Sequence, residues 1–396
     1  MKIKLLFSIL ITSLILNGCI SEFNAQLPYE DLQILYVDGS IIERSTMTFY
    51  LNKSFSLDLA SIPEENLNIY ATLYIIASNG FKSQPATNMG RGAYSISIGE
   101  LDDNLEYGIQ IEYNGDIYQS TLSKPLSTPE IDSISWIQPE ERGEVFFRIS
   151  THDDTGNAKF FLWSYVEDWE VTANFLTSVF FDTETSDFYE LDTAPFYYCW
   201  RHFESNRFLI GSTESLKENR IINKQIYQIS PEDHRFSVLY SVNVNQKAIS
   251  KSAYEYYQNK IVLNNEMGGL FTPQPAEITG NITCLTDPSK KVMGYVEAVK
   301  NTTQKRIFVP RSDISRPYVG SSCTLVSSDS IINLINSIYP DSDNPFLTAY
   351  MFNYRPVVAG PIIDVSEIQW SMVYCTDCVA AGGSKKKPPF WPNNHE

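Results

Sequence analysis

The sequence predicts a mainly β protein: an N-terminal immunoglobulin-like β-sandwich followed by a larger β-rich domain with one or two short helices. Three observations carry this expectation. Aromatic residues are abundant, with 24 Tyr and 22 Phe. Apolar residues recur in short runs at period two. Gly, Asn and Asp turn signals punctuate those runs, the pattern expected of strands joined by tight turns.

The chain opens MKIKLLFSILITSLILNGC. Lys2 and Lys4 precede an apolar run from Leu5 to Leu16, shorter than the ~20 residues a membrane helix needs. Residues 1–18 read as a secretory leader, and Leu16-Asn17-Gly18-Cys19 reads as a lipobox. Cys19 is the expected lipidation site. Several acyl chains on one thiol anchor stably, because each buried methylene adds ~0.8 kcal/mol. Residues 19–30 form the lipidated tether, so the expected membrane contact is through Cys19.

Residues 31–126 are assigned to the sandwich. LQILYVDGSI is a first strand ending at the Asp38-Gly39 turn. NLNIYATLYIIASNG reads as the next, bounded by Asn79-Gly80. GAYSISIGEL follows. In LEYGIQIEYNGDIYQST, Tyr107, Ile109, Ile111 and Tyr113 alternate before Asn114-Gly115, the strongest local hairpin signal. Six or seven strands over this length fit an immunoglobulin-like sandwich. The Pro-containing KPLSTPEID, residues 124–132, reads as a semi-rigid spacer. Residues 127–396 form the larger domain, divisible into a sandwich over 127–246 and an α+β part over 247–396. Trp163, Trp169 and Trp200 are expected in its core. KAISKSAYEYYQNKIVLNN predicts a helix near 247–263 capped by Ser250, with Tyr254, Tyr256 and Tyr257 packing in the core. SDSIINLINSIY predicts a second helix over 328–339, capped by Ser328 or Asp329. ITGNITC and VMGYVEAV read as strands joined at Asp287-Pro288.

The formal charge is −17, and loss of the leader makes it more negative by two. An acidic chain lacks the basic footprint that nucleic acid requires. Besides Cys19 there are five cysteines: Cys199, Cys284, Cys323, Cys375 and Cys378. An exported chain sits where disulfides persist. An odd number leaves at least one thiol outside any intrachain pair.

The pair Cys375-Thr-Asp-Cys378 admits three readings. A redox centre needs the first cysteine at a helix N-terminus, whereas a strand-like SMVY precedes it and glycines and prolines follow. A zinc clamp needs two further soft ligands, and His395 is the only nearby candidate. The favoured reading is structural: one or both cysteines fasten the C-terminal segment, with Cys199, Cys284 and Cys323 as open partners. Phe390 and Trp391 then anchor the tail, and Lys385, Lys386 and Lys387 form a solvated run.

No catalytic set is legible. G-x-S-x-G, H-E-x-x-H and a Gly-rich phosphate loop are absent, so no enzyme activity, cofactor or metal is expected. His152-Asp153-Asp154 could hold a cation but reads better as a loop. Asp341-Ser-Asp343-Asn344 lacks the glycine and distal glutamate of a calcium loop.

Four blocks in order, YYCWRHFESNRFLIGSTESL, NQKAISKSAYEYY, GGLFTPQPAEITGNI and CTDCVAAGGSKKKPPFW, resemble a Bacteroidetes lipoprotein family, domain of unknown function 4249. The resemblance spans essentially the whole mature chain. It implies an envelope lipoprotein, often encoded beside a TonB-dependent outer-membrane transporter, and it carries no catalytic residues. The expected function is an outer-membrane-anchored accessory or cargo-binding partner of such a receptor, with the ligand and the leaflet open. The alternative is a freestanding adhesin or structural envelope module.

Overall fold

The structure is a computed structural model that describes residues 34–54, 67–191, 195–266, 280–318, 320–358 and 364–392. The leader, Cys19, the tether, the 268–274 stretch and His395 lie outside them. The chain is mainly β, with several sheets and few short helices. No helix among the described residues is long and apolar enough to cross a membrane.

Two sheets enclose the first core. One runs in the order Val292–Gly294, Leu35–Asp38, Ser45–Lys53, Ala93–Ile98, Thr87–Gly90; the other runs Ile282–Cys284, Asp116–Ser120, Tyr107–Tyr113, Thr72–Ala77. Val37, Phe49, Leu51, Leu73, Ile75, Ile109 and Ile111 meet between them, fully buried. The hairpin turns at Asn114-Gly115, both at positive φ (51° and 83°), with Tyr113 paired to Asp116. That is the two-residue turn Asn-Gly favours. Ser45–Lys53 is a further strand. Its signal was the buried alternation Met47, Phe49, Leu51.

This first unit is not confined to residues 31–126. Ile282–Cys284 pairs antiparallel with Asp116–Ser120, and Val292–Gly294 lies parallel to Leu35–Asp38. The two predicted strands therefore join opposite sheets rather than each other. Gly294 makes the parallel pairing possible. Its φ is +135°, and a Cβ there would sit 2.1 Å from the Val37 carbonyl oxygen. Only glycine tolerates both conditions. The Pro-containing 124–132 segment is stapled to the same returning chain. Leu126 N–H donates to Ala298 O at 3.1 Å, and Thr128 and Asn301 exchange bonds of 3.0 and 2.8 Å.

The second core lies between the sheet Arg220–Ile229, Val145–His152, Ile131–Ile137 and the sheet Tyr198–Glu204, Phe160–Thr172, Leu239–Ile249, Thr303–Pro310. Trp163 is fully buried there, Trp169 nearly so, and Trp200 half-buried. Helix α1, Lys251–Glu266, covers one end of the outer face of the second sheet. Tyr256, Tyr257 and Ala253 pack beside Phe160 and Ile249. Ser250 Oγ accepts the Ala253 N–H at 3.1 Å and caps the helix. Residues 247–249, predicted helical, continue the strand instead, because their ladder to Phe160–Leu162 persists to Ile249.

A third module is assembled from separate stretches: the hairpin Val179–Phe181 and Phe188–Glu190, helix α2 (Ser328–Ile338), helix α3 (Pro345–Met351), and the sheet Val326–Ser327, Gln369–Met372, Tyr354–Val357. Trp370, fully buried, centres it, stacked on Phe346 at 5.3 Å. The cap of α2 is Ser327, one residue before the predicted positions; Ser328 is already helical and its hydroxyl donates to Ile368 O at 2.7 Å.

Cys375 and Cys378 enter two different disulfides. Cys323–Cys375 closes within the module, and Cys199–Cys378 ties it to the strand Tyr198–Glu204. Cys284 is instead a buried free thiol in the first core, 3.3 Å from Thr286 Oγ1. Beyond Cys378 the chain bonds Ser384 to Trp200 in both directions at 2.8 Å. Trp391 is buried against Phe308, and its indole N–H donates to Glu170 at 3.0 Å. Phe390 lies half open, with the Arg306 guanidinium 3.5 Å from its ring centre. Lys385 is not simply solvated: its ammonium donates to Tyr198 O at 3.1 Å.

The bridges enclose 179 and 52 residues of sequence separation. On the chain-entropy argument they stabilise by roughly 5 and 4 kcal/mol. The double variant Cys199→Ala/Cys378→Ala should therefore lose more unfolding free energy in guanidinium titrations than Cys323→Ala/Cys375→Ala. It should also shift tryptophan emission, because Trp391 loses its tether.

Candidate binding cleft

A cleft of about 550 Å³ opens between the sheets around the first core and those around the second. One wall is the Asp38–Ser40 turn with Thr46 and Thr48 on the outward face of Ser45–Lys53. The other is built by Ser164, Asn245 and Lys247 on the paired strands of the second sheet, with the 205–208 loop and Tyr257 of α1. These side chains reach the cleft because strand residues alternate between faces. Trp163 and Gln246 take the inner side, joined by a 2.8 Å bond from the indole to the amide oxygen.

Lys247 crosses between the walls, donating to Ser40 Oγ at 2.6 Å. Removal from water pushes its ammonium below the usual lysine range, against the attraction of Glu297 and Asp38. Glu297, buried behind it, accepts the Ser250 N–H at 3.2 Å, and burial raises its carboxyl. Lys260 of α1 makes a second link, donating to Tyr36 OH at 2.8 Å with its ammonium 4.5 Å from the Phe208 ring centre. The two walls are thus held at a defined separation by partly desolvated cations. The lining offers hydroxyls, amides, the cations Lys247 and Arg207, and the carboxylate of Asp38, and holds no histidine or cysteine. Beside them stand Ile42, Met47, Leu162 and Phe208, so the lining joins apolar surface to a few hydrogen-bonding groups that can orient a ligand. No spacing in the sequence pointed to it, because its walls come from positions some 200 residues apart; the Lys247–Ser40 separation is 207.

The motifs singled out in the sequence lie elsewhere. His152 Nδ1 is 2.6 Å from Asp132, and Asp153 accepts from Thr155 and Ala158 of its own loop. Asn344 caps α3 by accepting from Phe346 and Leu347 N–H, each at 3.1 Å. Among the described residues no three His, Cys, Asp or Glu side chains converge on a metal position.

These features define a mainly β, multi-sheet protein with a cleft between the sheets of its first and second cores. The family described as Domain of unknown function (DUF4249) matches residues 20–305, and the chain belongs to it. No curated protein matches the chain. Among solved structures it is similar to Escherichia coli alpha-2-macroglobulin activated by porcine elastase, at 11% identity over 54% of this chain and 18% of that chain, with a TM-score of 0.17. The chain thus spans under a fifth of that structure.

His202 joins a buried carboxylate that the sequence did not associate with it. Its Nδ1 is 2.7 Å from Asp168 Oδ1, while Asp168 Oδ2 accepts from Arg306 at 2.8 Å and Glu204 lies 3.6 Å from Nε2. The hydrogen bond to Asp168 raises the imidazole pKa, against some loss of solvation. A raised folded-state pKa stabilises fully below the unfolded value, and the gain fades as pH rises through the folded value. The melting temperature of the wild type minus that of His202→Gln should therefore shrink as pH rises from the ordinary histidine value of about 6.5 through the raised one. Burial lowers the pKa of His234; present in both proteins, it cancels in the difference.

Proposed function

We propose that the protein is an envelope-tethered, non-enzymatic binding protein that serves a TonB-dependent outer-membrane transporter and holds polar cargo in the cleft between its sandwiches. The observation that carries this reading is the cleft itself. It is large enough for a small ligand at ~300–1,000 Å³ and lies where such sites concentrate, between two packed units. Its lining suits recognition by hydrogen bonds, and two lysines hold its walls in place before any ligand arrives. Preorganisation of that kind lowers the cost of binding. The lipobox at Cys19 supports the tether, and the family resemblance supports the transporter partner. Acylation there would confine the binding site to the membrane surface, where a receptor could take over its cargo.

Two measurements test the proposal. Purification in mild detergent with the anchor intact should recover a TonB-dependent receptor, and Cys19→Ser should release the protein from membranes and abolish the co-purification. Recovery of the anchored protein with no such receptor would overturn the transporter assignment.

A further inference from the structure

A second pocket, of about 150 Å³, opens in the third module against the Cys375–Cys378 loop. It lies apart from the inter-sandwich cleft, and its reading does not rest on the transporter proposal. Phe181, fully buried, Phe196 and Tyr350 supply aromatic walls, and Val373 and Thr376 of the loop close one side. A void of this size in an apolar setting accepts a benzene-sized group.

One strong cation stands in the wall. The Arg355 guanidinium lies 3.7 Å from the Tyr350 ring centre. Its Nη1 donates to the carbonyls of Tyr350 and Tyr354 at 2.9 and 2.8 Å. Stacking and these two bonds fix the plane of the fork. Nε and Nη2 meet no hydrogen-bond acceptor among the described residues. Burial lowers the guanidinium pKa, opposed by Tyr350 and Asp377, so the charge is partly stripped of water. Asp377, also in the wall, accepts the Val379 N–H at 2.8 Å, which commits one of its oxygens to its own loop. A planar guanidinium with its plane fixed in this way has the fork geometry that matches a carboxylate in bidentate fashion.

We infer that this pocket binds an aromatic carboxylate, its ring packed against the exposed faces of Phe196 and Tyr350 and its carboxylate on Arg355. The same chemistry occurs in a free small acid and in a peptide ending in phenylalanine. The two disulfides then have a binding role besides a structural one, since they hold the loop that walls the pocket.

The probe is hydrocinnamate, titrated by calorimetry into the full chain with its disulfides intact, against hydrocinnamyl alcohol as the neutral counterpart. The acid should bind at least about tenfold more tightly than the alcohol, the scale of a charge-assisted hydrogen bond. Arg355→Met, which keeps the aliphatic stem, should erase that preference. Val373→Phe, which fills the pocket from a half-buried position and leaves Arg355 in place, should abolish binding of both. Phe-terminated peptides with free and amidated ends distinguish the sources: tighter binding of the free-ended peptide than of hydrocinnamate assigns the pocket to a chain end, and the reverse assigns it to a small acid. Equal binding of acid and alcohol, undiminished binding in Val373→Phe, or no binding of either hydrocinnamate or the free-ended peptide would overturn the inference.

Discussion

The organisation of this molecule depends on one strand that carries three buried carboxylates. Glu167, Asp168 and Glu170 lie in Phe160–Thr172 and are almost wholly removed from water. A buried carboxylate is tolerated only when paired and hydrogen-bonded. Each of the three recruits a different part of the chain. Glu167 faces the second core and takes Arg235 at 2.7 Å and Tyr240 at 2.6 Å. Asp168, on the opposite face, takes His202 and Arg306. Glu170 takes the Trp391 indole from the C-terminal tail. Apolar burial alone would specify a strand of this kind in more than one setting. The carboxylates restrict it to the setting in which all these partners arrive.

The C-terminal tail follows from the same constraint. The outer face of that sheet is covered at one end by α1, and at the other by Phe390 and Trp391. Without the tail, Glu170 would lose the indole N–H, and Phe308 would lose its aromatic neighbour. The bond between Cys199 and Cys378 starts the tail beside the strand it must cover, and the Ser384–Trp200 pairing continues it. This is why neighbouring cysteines that resemble a redox or metal pair instead point to separate partners. Val373–Thr376 forms a helical turn that sends Cys375 into the module and leaves Cys378 against the strand Tyr198–Glu204.

Much of the local architecture was legible in the sequence, because strand alternation, Asn-Gly turns and a serine cap act over a few residues. The hairpin at Asn114-Gly115 and the cap at Ser250 are cases in point. Errors arose where a local signal competed with a longer one. Residues 247–249 look helical by spacing but are held extended by a ladder to a strand more than eighty residues earlier, as in the Gln246–Trp163 pair at a separation of 83. The candidate sites were not legible at all. The cleft depends on juxtaposing residues 38–48 with 205–247, and the pocket needs residues 181, 196, 355 and 373 together. No sequence period encodes such meetings. The choice of disulfide partners was closed to sequence reasoning for the same reason.

The returning strands Ile282–Cys284 and Val292–Gly294 have a consequence for how the chain acquires its shape. Ile117 N–H bonds to Thr286 at a separation of 169 residues, so the first pair of sheets cannot be completed as its own stretch is synthesised. Its half-built sheets must wait, edges bare, until the later segment emerges, and pairings this distant form slowly because loop closure must come first. Bare edges invite pairing with other chains. Holdase protection should therefore matter most for the portion made first, and a ribosome stalled before residue 282 would display an aggregation-prone nascent chain rather than a finished domain.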